Sequence, residues 1–140
     1  MKKVIGVLFF AVVAVALMSS FAGDKNGIEF SNISLEKAKK QASKSGKLIF
    51  IDAYTDWCGP CKRMAATTFK DPEVGEFFNE NFINMKVEME KDADGREIAQ
   101  RYRVRAYPTL LIIDGDGNLK KSIIGFKSKN QLLAIAESVL

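Results

Sequence analysis

The chain has 140 residues, with 21 Lys and Arg against 17 Asp and Glu, two Cys and no His. The missing His excludes imidazole general bases, Ser-His and Cys-His nucleophile pairs and His metal ligands together. A net charge of +4 is too mild to point to nucleic acid or an anionic membrane, and the length predicts one domain.

Lys2 and Lys3 precede an apolar run over Val4 to Met18, and Ser20 and Ala22 place small residues three and one before a cut after Ala22. That layout predicts a secretory signal peptide over residues 1–22. The apolar run is short of the roughly 20 residues that cross a bilayer, and an uncleaved anchor is the alternative. No Cys follows the run, which argues against a lipid-anchored form. Cleavage leaves 118 residues (140 less 22), with 19 basic against 17 acidic side chains. A chain of that size can bury a core without disulfide staples.

Residues 23–33 are a polar lead-in with a short strand near Ile28 to Phe30; the domain proper is expected over 34–140. Ser34 caps a helix to about Ser45, with Leu35, Ala38 and Ala42 on one face and Gly46 as its stop. Its lysines (Lys37, Lys39, Lys40, Lys44) read as a solvated face. Leu48 to Tyr54 is a buried strand. A helix then runs from Gly59 to about Thr68. Asp71-Pro72 opens another helix, with Val74, Phe77 and Phe78 buried. Phe82 to Val87 is a strand, and Asp94 caps a helix through Ile98 to Tyr102. Thr109 to Ile113 and Leu119 to Ile124 form a hairpin across Asp114 to Asn118. Ser128 caps a last helix to Leu140. Strands alternating with helices, then a terminal hairpin, predict an α/β fold with a central mixed sheet. Two stretches, Glu90 to Gly95 and Asp114 to Asn118, share fragments of a calcium loop but fail its full pattern.

Both cysteines sit in Cys58-Gly59-Pro60-Cys61, between a strand end and a helix start. Unpaired helix N–H groups there favour a thiolate, and Cys61 lies one turn on. Pro60 is tolerated in the first turn, and Lys62 and Arg63 add positive charge. A four-residue loop makes a poor staple, about 2 kcal/mol by chain entropy. Two ligands cannot fill a tetrahedral zinc site. An inert remnant is the third bland alternative. The pair therefore reads as redox-active. Asp52 stands on an otherwise apolar strand, which is costly without a role or a local hydrogen bond.

Asp52-Ala53-Tyr54-Thr55-Asp56-Trp57-Cys58-Gly59-Pro60-Cys61-Lys62 and Val104-Arg105-Ala106-Tyr107-Pro108-Thr109-Leu110 resemble the two active-site segments of the thioredoxin family. Thr67 to Val74, with the signal peptide, is similar to the C-terminal periplasmic domain of membrane thiol–disulfide interchange reductases. The resemblance implies a thioredoxin fold. It makes Cys58 the exposed attacking thiol, Cys61 the buried resolving thiol and Asp52 a buried proton carrier, weakly accompanied by Lys86. Pro108 would be a cis proline beside the disulfide; the plain alternative is a trans proline at a strand start. Trp57, Gly59, Pro60, Tyr107, Thr109 and Gly125 would complete the partner-facing surface. Tyr54 and Tyr107 depart from the common Trp and Ile, which leaves partner choice open.

The implied function is a protein-disulfide reductase of the bacterial periplasm. It would need no cofactor beyond the Cys58–Cys61 pair and no metal. It would act as a monomer on disulfide-bearing exported proteins, with a membrane thiol reductase as electron donor. An oxidase or isomerase on the same chemistry, or a non-catalytic binding module of the same fold, are the alternatives.

Overall fold

A computed structural model describes residues 26–140; the expected signal peptide lies outside the described residues. The elements run α1 (Leu35–Ser45), β1 (Leu48–Tyr54), α2 (Gly59–Ala66), a 3-10 turn (Thr68–Lys70), α3 (Pro72–Asn81), β2 (Phe82–Glu88), α4 (Gly95–Tyr102), β3 (Thr109–Ile113), β4 (Leu119–Ile124) and α5 (Lys129–Glu137). The sheet order is β2-β1-β3-β4. β1 pairs parallel with β2 and antiparallel with β3, and β3 pairs antiparallel with β4. This is the mixed sheet expected, flanked by five helices.

Period-two alternation along the strands separates two cores. Ile49, Ile51 and Ala53 of β1 face a core built with α1 and α4, including Leu35, Ala38 and Ile98. Phe50 faces the other, with Met64 of α2, Phe78 of α3 and Leu132 of α5. Its ring meets those of Phe30, Phe69 and Phe78 at centroid distances of 6.3, 6.2 and 4.7 Å. Each such buried side chain contributes about 1.5–3 kcal/mol.

Caps explain most helix starts. Ser34 accepts from Lys37 N–H, and Asp71 accepts from the N–H groups of Glu73 and Val74. The Ser128 N–H donates to Gln131 Oε1. Asp94 is the N-cap residue of α4 as expected, but its side chain makes no cap bond there. Its Oδ2 instead accepts the N–H of Leu35 at 2.8 Å and so caps α1 from across the fold. Three boundaries also shift. The second helix stops at Ala66, because Thr67 leaves helical geometry at φ −122° and ψ −83°. The last helix stops at Glu137. The expected strand near Ile28 is a single parallel bridge between Ser31 and Met85. Residues 27–31 otherwise form a strap, held by Ile28 N–H to Phe69 C=O (2.7 Å), Glu29 N–H to Asn79 Oδ1 (2.8 Å) and Asn79 Nδ2 to Gly27 C=O (3.2 Å).

Strand register brings several chain ends together. Tyr54 stands opposite Glu88, Ala53 opposite Thr109, and Thr109 opposite Ile124. The ends of β1, β2 and β4 and the start of β3 therefore share one end of the sheet. Among the described residues no helix is long and apolar enough to cross a membrane.

Candidate active site: a disulfide at the end of the sheet

At that shared end β1 turns directly into α2. Cys58 is the N-cap residue of α2, with extended backbone, and its Sγ accepts from Cys61 N–H at 3.2 Å. A sulfur in this place faces the free N–H groups of the first turn. Cys58 and Cys61 are joined as a disulfide with Cα atoms 5.3 Å apart. Pro60 lies in the first turn, where its missing N–H costs nothing. Gly59 and Pro60 are exposed on the outer side of the pair.

One expectation is corrected here. Cys58 is not the exposed member: both cysteines are 3% exposed. What separates them is position, with Cys58 at the helix cap and Cys61 inside the first turn.

Asp52 lies two residues before the end of β1 and is 1% exposed. It shares strand parity with Phe50, so it faces the α2 side of the sheet, where Cys61 and Met64 are buried. Neither of its oxygens accepts a hydrogen bond. Lys86, its register partner on β2, approaches Oδ2 to 3.7 Å, an ion pair too long for a hydrogen bond. Burial pushes the Asp52 carboxyl up to about 6, and the nearby Lys86 ammonium offsets only part of that effect. The Lys86 ammonium lies 4.5 Å from the Tyr54 ring centroid and 5.8 Å from that of Phe30. A cavity of about 150 Å³ adjoins it, lined by Ile28, Phe30, Ala65, Phe69 and Lys70, with room for water.

The residues expected to face a partner lie at this same end of the sheet. The Tyr107–Pro108 bond is cis. Pro108 and Thr109 are buried, which corrects the expectation that the Thr109 side chain faces a partner: it is 2% exposed and its Oγ1 is turned to the chain, donating to Ala106 C=O at 2.7 Å. Gly125, at φ 87°, donates its N–H to Pro108 C=O at 2.8 Å; that φ suits glycine. Trp57 is 64% exposed and meets Tyr107 edge-on at 5.9 Å. Ile124, 62% exposed, adds an apolar residue to this end of the sheet. Arg63 stacks over Phe126 at 3.9 Å, part of a flanking groove with Thr68 and Lys129. Sequence reasoning passed over Glu88, and took Glu90 and Lys91 only as part of a stretch that fails the calcium-loop pattern. Glu88 is 4% exposed at a buried strand position, and an acidic residue in that phase, following Lys86, was the available signal. No cluster of metal-ligating side chains occurs among the described residues.

Comparisons agree with this arrangement. A family model for the thioredoxin-like domain matches residues 35–140. The thiol:disulfide interchange protein DsbD of Pseudomonas fluorescens is 36% identical over 89 residues, which is 63% of this chain and 15% of that protein. The chain thus spans about a seventh of that relative's length. A solution structure from Bacteroides thetaiotaomicron, of a protein proposed to be a disulphide-isomerase, is 39% identical with a TM-score of 0.71. It covers 80% of this chain, which in turn covers 92% of it. The oxidised C-terminal domain of DsbD from Neisseria meningitidis is 25% identical with a TM-score of 0.64, covering 81% of this chain and 99% of its own.

Proposed function

The chain belongs to the thioredoxin-like family of disulfide oxidoreductases, and from that premise we propose that it works as a reductase of disulfides in exported proteins. The observation that carries the reading is the Cys58–Cys61 disulfide across the start of α2, with a buried, unbonded carboxyl on the sheet face beneath that helix. In the reduced protein Cys58 is the nucleophile. Its thiolate attacks one sulfur of a partner disulfide, forming a mixed disulfide and releasing the other partner sulfur as thiolate. Cys61 then loses its proton, with Asp52 as acceptor, and attacks the Cys58 sulfur. The partner leaves with both thiols and the protein keeps the disulfide. Two electrons have passed to the partner, and the partner's thiolates take up protons.

Restoring the dithiol takes two electrons from outside. An oxidising compartment holds no standing reductant, so we assign the donor role to a membrane thiol reductase. The periplasmic setting rests on Lys2, Lys3, the apolar run from Val4 to Met18 and the small residues Ser20 and Ala22 after it. The test is reduction of insulin disulfides with a small dithiol as electron source: turnover is expected, and a binding module of the same fold gives none. The likeness to a Bacteroides protein proposed as a disulphide-isomerase favours isomerisation as the second reading. A reduction potential near that of thioredoxin, about −270 mV, supports the reductase; one near −180 mV supports the isomerase.

A further inference from the structure

One buried carboxyl at the same end of the sheet has no part in the exchange itself. Glu88 closes β2 opposite Tyr54. Its Oε1 accepts the N–H of Asp56 at 3.0 Å, and its Oε2 accepts those of Glu90 and Lys91 at 2.9 and 2.7 Å. These three bonds join two loops, the turn that carries Trp57 into Cys58 and the turn that follows β2. Other links cross the same joint. Met89 N–H donates to Tyr54 C=O at 2.8 Å, Trp57 Nε1 donates to Glu90 Oε2 at 3.1 Å, and the Lys91 ammonium pairs with Asp56. The last two are solvent-exposed and weak. The bonds to Glu88 are part-buried, with the carboxyl itself 4% exposed, and losing its acceptors costs more than losing a surface pair.

We infer that Glu88 is a positioning residue that fixes the Asp56–Trp57 segment, so that Trp57 stands as a preformed wall beside Cys58 for the partner chain. Trp57 needs such an anchor. It is mostly exposed, held by an edge contact with Tyr107 and the exposed bond to Glu90. An aromatic held in place before docking loses less freedom on binding. The residue type fits the task, because an amide would offer one acceptor oxygen and turn an NH₂ towards N–H groups that need acceptors.

The inference rests on the exchange reading of Cys58 given above, yet its first readout needs no turnover. Trp57 is the only tryptophan in the chain, so intrinsic fluorescence reports it alone. In Glu88→Gln, fluorescence anisotropy should fall and acrylamide quenching should rise. KM for a protein disulfide should rise about fivefold, while kcat and the rate towards a small aromatic disulfide stay within about twofold. Leu132→Ala, in the core under α5, should lower Tm as much without moving the Trp57 signal. An unchanged Trp57 signal in Glu88→Gln, or the same change in Leu132→Ala, overturns the inference. Should Glu88→Gln fail to fold, Glu88→Asp keeps the charge, shortens the reach and is read by the same outcomes. A wild-type protein inert towards disulfides would instead overturn the exchange reading, with the Trp57 measurement still decisive for Glu88.

Discussion

Asp52 is the residue at which burial and chemistry pull in opposite directions. Its carboxyl is raised from 3.8 to about 6 by burial. The folded protein therefore holds a proton there, between about pH 4 and 6, that the unfolded chain has released. The stability this group contributes is present in full below about pH 4 and is lost as the pH rises through 6. Asp52→Asn cannot ionise. It should be the more stable protein above pH 7, by about 1–3 kcal/mol, with the advantage gone by pH 4. Urea unfolding of the disulfide form between pH 4 and 8 checks the sign. The same variant should slow exchange between roughly pH 6 and 9, where a proton carrier shapes the profile. A stabilised variant with unaltered exchange kinetics would remove Asp52 from the mechanism and leave it a buried liability. Asp52 was legible in the sequence because an acid interrupts an apolar strand. The equal burial of Cys58 and Cys61 was not, since exposure depends on how the rest of the fold packs around the pair, which no local signal records.

Among the elements, those built on local signals were readable. β1 has the expected bounds because an apolar, β-rich run between turn residues has few alternatives, and α1 and α3 follow from Ser34 and Asp71 as caps. Features made by distant contacts were not readable. Asp94 caps α1 rather than its own helix, a pairing across 59 positions. The strap at 27–31, before the family match at 35–140, is a stronger case. It crosses α3 where glycine faces glycine: a Cβ on Gly75 would sit 2.3 Å from Gly27 C=O. Gly27 itself, at φ 95°, would drive a Cβ to 2.1 Å from Phe69 C=O. Neither partner can retreat, because both contacts are with backbone. Gly75→Ala should therefore displace the strap and cost about 2–3 kcal/mol in urea unfolding, as overpacked cores do. A loss below about 0.5 kcal/mol would mean that the strap yields freely and contributes little.

At the scale of the molecule, the sheet brings the disulfide and the residues proposed to face a partner to one end from chain segments far apart in sequence. The end of β1 delivers Cys58, the start of β3 delivers Pro108, and the loop after β4 delivers Gly125; the Lys127 ammonium donates to the carbonyls of Ile124, Gly125 and Phe126 at 2.8, 3.4 and 3.2 Å. Only one sulfur at a time can be joined to a partner, so the division of labour between the two cysteines can be read directly. Cys61→Ser keeps the helix start and the nucleophile but removes the group that breaks the mixed disulfide, because a hydroxyl does not displace a thiolate from sulfur. This variant should accumulate covalent complexes with its partners, visible on a non-reducing gel of periplasmic extract and lost with reductant. Cys58→Ser should capture nothing, since Cys61 lies inside the first turn of α2 and lacks the cap position that favours a thiolate at Cys58. Capture by Cys58→Ser and not by Cys61→Ser would reverse the two roles. Capture by neither, against extract and against a model disulfide, would leave a binding module. The identity of the trapped chains separates the two sides of the cycle: a membrane thiol reductase is the donor that refills the dithiol, and soluble Cys-bearing proteins are the substrates that empty it.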